Sequence, residues 1–111
     1  MMKWQKLVDY SCPSLSRGGI LKFPASYPFE GEVAMMICEG LGSPNSSCLI
    51  TLTGYKAGIN CYQMFPDECT NDEGFLDVKW LIKNWNKWVW PEGNVNEVMV
   101  CEGLDVSDLS P

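Results

Sequence analysis

Between Asp77 and Pro91 the apolar positions recur at helical spacing. Val78, Leu81, Ile82, Trp85 and Val89 fall on one stripe when residues are set about 100° apart, so the segment predicts an amphipathic helix with one buried face. Asp77 has the chemistry of an N-cap, and Pro91 stops the pattern. Four of the five tryptophans lie in this stretch. Trp80 falls off the stripe, beside Lys83 and Lys87 on the side expected to meet water. Trp88 sits at the stripe's margin and Trp90 in the last turn. A large aromatic on the wet side implies contact with a loop, another strand or a partner.

The first half of the chain reads as strands. Trp4 to Tyr10 predicts one, Ile20 to Phe23 a second that Pro24 stops, Val33 to Cys38 a third, and Cys48 to Thr53 a fourth. The Gly, Pro, Asn and Ser residues from Gly40 to Ser47 predict a hairpin connection between the last two. Gly54 to Gly58 predicts a tighter turn into a strand from Ile59 to Phe65, whose alternation separates Ile59, Cys61, Gln63 and Phe65 from Tyr62 and Met64. Pro66 to Gly74 is a polar, acidic connection. After Pro91 and Gly93, Val95 to Cys101 predicts a final strand with Val98 and Val100 facing opposite to Met99. The order is five strands, one helix and one strand. That pattern gives an α+β domain: a curled, mainly antiparallel meander of about six strands, with the Trp-rich helix packed on one face. The opposite face is expected to be partly exposed. Residues 1–103 are expected to form a single domain, and 104–111 a frayed acidic tail.

Cysteine usage bears on the compartment. The chain has 6 cysteines, yet Cys38, Cys48, Cys61 and Cys101 each lie within an apolar run, where a free thiol behaves as a small hydrophobe. The N-terminus lacks the continuous apolar stretch of a secretion signal, and no run reaches the roughly 18 apolar residues of a membrane helix. The expectation is a cytoplasmic protein with reduced thiols and no membrane association. Charge narrows the partners. With 14 acids against 8 bases the net charge is −6. From Glu92 onward Glu92, Glu97, Glu102, Asp105 and Asp108 occur with no Lys or Arg among them. Such a chain repels phosphate backbones, which disfavours nucleic acid, and attracts a basic protein.

The catalytic inventory is thin. There is no histidine, which removes the commonest general base and any Ser-His or Cys-His pair. Gly40-Leu41-Gly42 begins like a dinucleotide fingerprint but lacks its third glycine and leads into a strand. Asp67-Glu68 and Asp72-Glu73 lack the spacing of a calcium loop, and no Cys-x-x-Cys pair offers a zinc site. The residues point to a binding protein and not an enzyme, with no cofactor and no metal.

Several motifs resemble a known family. They are Gly19-Ile20-Leu21-Lys22-Phe23-Pro24-Ala25 with Tyr27-Pro28, the turn Thr53-Gly54-Tyr55-Lys56-Ala57-Gly58, and Val78-Lys79-Trp80-Leu81-Ile82 followed by Asn84-Trp85-Asn86-Lys87-Trp88 and Pro91. Together they look like the immunity-protein family numbered 45 of bacterial polymorphic-toxin systems, over about Trp4 to Cys101. The resemblance implies a protein that binds and neutralises a cognate toxin, encoded by a neighbouring gene, through stoichiometric occlusion or by locking an inactive shape. It implies no catalytic residue. The acidity adds that the toxin is basic, for example a nuclease whose phosphate sites the carboxylates mimic.

Two kinds of surface compete for the toxin contact. One is acidic, with Asp67, Glu68, Asp72 and Glu73 before the helix and Glu92, Glu97 and Glu102 after it. The other is aromatic, with Trp80, Tyr55, Tyr62 or Trp90 as anchors; an aromatic anchor inside a charged rim would use both. The alternatives are a small-molecule or peptide-binding module using the uncovered sheet face, an enzyme relying on a cysteine or carboxylate, and a structural protein that self-associates.

Overall fold

A computed structural model describes residues 3–27, 29–39, 47–59 and 63–109. Its strands are β1 (Gln5–Lys6), β2 (Ser14–Leu15), β3 (Ile20–Pro24), β4 (Glu32–Glu39), β5 (Ser47–Thr51), β6 (Gln63–Met64), β7 (Leu76–Asp77) and β8 (Met99–Cys101), with one helix, α1 (Val78–Trp88). Six strands form one antiparallel sheet in the order β1-β8-β3-β4-β5-β6, and β2 pairs with β7 in a separate ribbon. The α+β class and the single helix on one face agree with the periodicity.

The sheet is a meander only from β3 to β6. The last strand instead enters between β1 and β3, with Leu21 opposite Val100 and Gln5 opposite the same valine. Helix α1 makes this possible by carrying the chain back across the core face. Along the strands alternate residues point into that core. Leu21, Phe23, Val33, Met35, Ile37, Leu49 and Val100 are buried, and Val78, Leu81, Trp85 and Val89 of the helical segment close over them. Ile82, at the stripe's edge, is half-buried. Asp77 caps the helix as its side chain accepts from Lys79 N at 3.1 Å. Phe23 and Trp85 meet edge-on with ring centroids 5.0 Å apart.

On the other sheet face Lys22, Ala34, Met36, Ile50 and Met99 are half-buried, so the expected partial exposure is present. There the Lys22 ammonium lies 4.2 Å from the centre of the Trp4 ring, a cation–π contact. Cys38 and Cys48 stand opposite each other across β4 and β5 with their sulfurs 2.9 Å apart. Cys48, Cys69 and Cys101 are buried and Cys12 is exposed.

Several boundaries differ from the expectation. Only Gln5 and Lys6 pair in the first predicted strand; Leu7–Asp9 winds into a 3-10 turn that drives Leu7 into the core while its N–H donates to Val98 O at 2.8 Å. Val95–Glu97 is likewise a 3-10 turn, capped by Asn94, and pairing starts only at Met99. Val98 and Val100 are buried and Met99 is half-buried, so the predicted facing holds. Ile59 belongs to the turn before β6, where its N–H donates to Lys56 O. Of the strand predicted over Ile59 to Phe65, Asn60, Cys61 and Tyr62 lie outside the described residues, as does the 40–46 part of the predicted hairpin loop. The β2–β7 ribbon has no counterpart in the sequence reading, because two residues per strand show no alternation. Beyond residue 103, Val106–Leu109 forms a 3-10 turn.

Candidate partner-binding site

The exit of α1 is built from its own sequence. Val89 N and Trp90 N both donate to Trp85 O, which ends the helical ladder before Pro91. The Asn86 amide then donates to the carbonyls of Trp90, Pro91 and Gly93, tying the loop back onto the helix. Trp90 folds under this loop and meets Phe29 edge-on at 5.8 Å. Gly93 is required by close approach. A Cβ there would lie 2.8 Å from Trp90 Cδ1 and 3.3 Å from Trp85 Nε1.

These contacts bring the loop after α1 against the turn after β3. Between them is a cavity of about 220 Å³ lined by Phe23, Pro24, Ala25, Ser26, Trp85, Trp90, Glu92, Gly93, Asn94 and Glu97. Its floor is aromatic and its rim carries two exposed carboxylates, Glu92 and Glu97. Trp85 is 1% exposed and its Nε1 has no hydrogen-bond partner. An indole N–H left in that state costs roughly 1–3 kcal/mol; Trp88 Nε1 and Thr51 Oγ1 are buried without a partner as well.

The turn on the other side of the cavity continues the surface. Phe29 N donates to Ser26 O and Ala25 N to Gly31 O, which holds the segment closed. Tyr27, at its tip, is 92% exposed. From the same segment Glu30 accepts from Tyr55 N at 3.0 Å. Gly54, at φ +72°, leaves the space that the Glu30 carboxylate fills. Tyr55 is 87% exposed. Glu30 thus links two protruding tyrosines at the end of the sheet that also bears the cavity.

The predicted site residues divide. Glu92 and Glu97 converge on the cavity, and Tyr55 stands exposed where Glu30 holds its backbone. Trp80 is half-buried against Phe65, with centroids 5.5 Å apart, and against Trp88 at 6.3 Å. Asp67 and Glu68 sit in the 3-10 turn Asp67–Cys69, while Asp72 and Glu73 lie in a turn organised by the Asn71 side chain, which accepts from Glu73 N and Phe75 N. Glu73 lines a different cavity, with Arg17, Glu39 and Phe75. Glu102 lies beside Tyr10, whose hydroxyl is 3.4 Å from its carboxylate. Burial first, then the Glu102 charge, pushes the Tyr10 pKa up to about 12. Tyr62 lies outside the described residues. Sequence reasoning missed Tyr27, Glu30 and the orphan N–H of Trp85. The first had a readable signal, an aromatic in a Pro- and Gly-bounded turn between two strands.

Among the described residues no group of three or more metal-binding side chains occurs, and no helix is long and apolar enough to cross a membrane. The arrangement is a shallow, acceptor-rich recess with an aromatic floor, chemistry suited to binding a donor-rich partner.

The family model for Immunity protein 45 matches residues 7–100. The chain belongs to that family. No curated protein and no solved structure matches it. The Immunity protein 45 match spans the whole cavity, from Phe23 to Glu97, and both acidic turns before the helix. Glu102 and the Val106–Leu109 turn fall beyond it.

Proposed function

We propose that this immunity protein neutralises a cognate toxin by stoichiometric binding, with the end of the sheet bearing Tyr27, Tyr55, Glu92 and Glu97 as the contact surface. The observation that carries this reading is the family match across residues 7–100. The geometry supports it, because exposed aromatics beside a carboxylate rim follow the anatomy of protein-binding hot spots. With a net charge of −6, the partner is a basic protein, such as a nuclease whose phosphate-binding groove the carboxylates occupy. The encounter takes place in the cytoplasm, and the protein acts by occupancy and not by turnover.

Co-expression with the product of the adjacent reading frame tests the reading. Growth rescue together with co-purification is expected. A toxic neighbour that is neither rescued nor bound would sink it for that pair. A second reading, a small-molecule or peptide-binding module, draws on the half-buried sheet face of Lys22, Ala34, Met36, Ile50 and Met99. A small ligand retained through purification would favour that alternative.

A further inference from the structure

We infer that the cavity beneath the α1 exit loop is a receptor for a single arginine side chain, and it is this residue with which the partner anchors itself. The inference rests on the binding reading above and names the contact chemistry. Three features of the cavity select the guest. Its volume, about 220 Å³, lies below the roughly 300–1,000 Å³ of sites that hold whole drug-sized ligands, which scales it to one side chain. Its rim holds two carboxylates, Glu92 and Glu97, and no basic residue. Its wall includes Trp90, an aromatic surface on which a planar guanidinium stacks while its N–H groups reach carboxylates. A bare cation fits poorly, since calcium takes six to eight oxygens and two carboxylates over an aromatic floor do not supply them.

The indole of Trp85 lies beneath the site. It is 1% exposed, its Nε1 lacks a partner, and that nitrogen lies against Gly93, the cavity residue without a side chain. The guanidinium lies between Glu92 and Glu97 and over the Trp90 ring, and the Trp85 indole, sealed behind Gly93, senses its arrival through that backbone. Of the acids before the helix, Glu73 also lines a cavity, but that one carries a basic residue of its own, Arg17, paired with Glu39 at 3.0 Å.

The test needs no toxin. N-acetyl-argininamide is titrated into the ¹⁵N-labelled protein while the Trp85 indole N–H resonance is followed, with N-acetyl-citrullinamide as the uncharged isostere. A saturable shift in the millimolar range is expected, as for one small guest. Affinity should fall roughly fivefold for the citrulline analogue and for Glu92→Gln/Glu97→Gln, the loss of two solvent-exposed ion pairs. Glu68→Gln/Glu73→Gln should bind as the parent does. No saturable shift, equal binding of citrulline, or equal loss in both double variants would overturn the site. Failure here leaves the co-expression result standing, and failed rescue leaves this titration standing, so the two readings fall separately.

Discussion

The same helix is flanked by two acidic segments that the structure uses in different ways. Before α1, Asp67, Glu68, Asp72 and Glu73 decorate tight turns whose backbone groups are satisfied locally: Thr70 bonds to Asp67 O, and the Asn71 side chain collects two N–H groups. After α1, Glu92 and Glu97 rim a recess whose floor holds an indole N–H without a partner. Equal charge therefore does not mean equal role. The acids of the first segment ride on turns that close on themselves, and those of the second stand around a recess.

The severest way to break this contrast is to remove its floor. Trp85→Ala is expected to cost about 3–5 kcal/mol, read from urea unfolding, because Phe23 loses its edge-on partner and the recess collapses. Trp85→Phe should cost well under half of that, since it keeps a ring and deletes an N–H that bonds to nothing. A small loss for Trp85→Ala would mean that the helix is anchored elsewhere.

High pH comes next, acting through Cys69 in the first segment and through Tyr10 and Cys101 outside it. Burial, and secondarily the Asp67 charge, pushes the Cys69 thiol up to about 11 from 9.0, and burial pushes the Cys101 thiol up as well. With Tyr10 raised to about 12 from 10.0, the folded protein holds these protons more tightly than the unfolded chain does. The stability they contribute is intact below about pH 9 and is lost as pH rises through the folded values. A fall of about 2 kcal/mol between about pH 8.5 and 11 is expected in unfolding titrations. A flat profile would show that these thiols are solvated.

Charge reversal then sharpens the comparison at the partner. Glu92→Lys/Glu97→Lys should slow toxin association about tenfold at low salt, and much less at about 500 mM, where the screening length shrinks to a few Å. Glu68→Lys/Glu73→Lys, with the same change in net charge, should act only weakly in stopped-flow measurements. Equal slowing by both pairs would reduce the effect to net charge. The smallest change is local. Asp77→Ala should cost about 1 kcal/mol in thermal or urea unfolding by removing the cap that accepts from Lys79 N, with toxin affinity unaltered.

Much of this architecture was legible along the chain. The stripe from Val78 to Val89, its Asp77 cap and the runs that became β3, β4 and β5 follow from local periodicity. A helix or an alternating strand writes its buried face into neighbouring positions. Trp80 was half legible: its place off the stripe was correct, but Phe65, which covers it, belongs to the end of another segment. The recess was not legible at all, because its walls at Phe23 to Ser26 and Trp90 to Glu97 lie far apart in the chain and no pattern links them.

The sequence alone therefore determined the class of the fold, its single amphipathic helix, the acidic character of the surface and the family resemblance. Only the tertiary structure decided that β8 enters between β1 and β3, that Trp80 packs half-buried against Phe65, and that Glu92 and Glu97 share a recess above a buried N–H. Local spacing controls which face of an element is apolar. Which elements meet depends on long-range pairing and on how buried side chains pack, and those contacts join residues that carry no common signal.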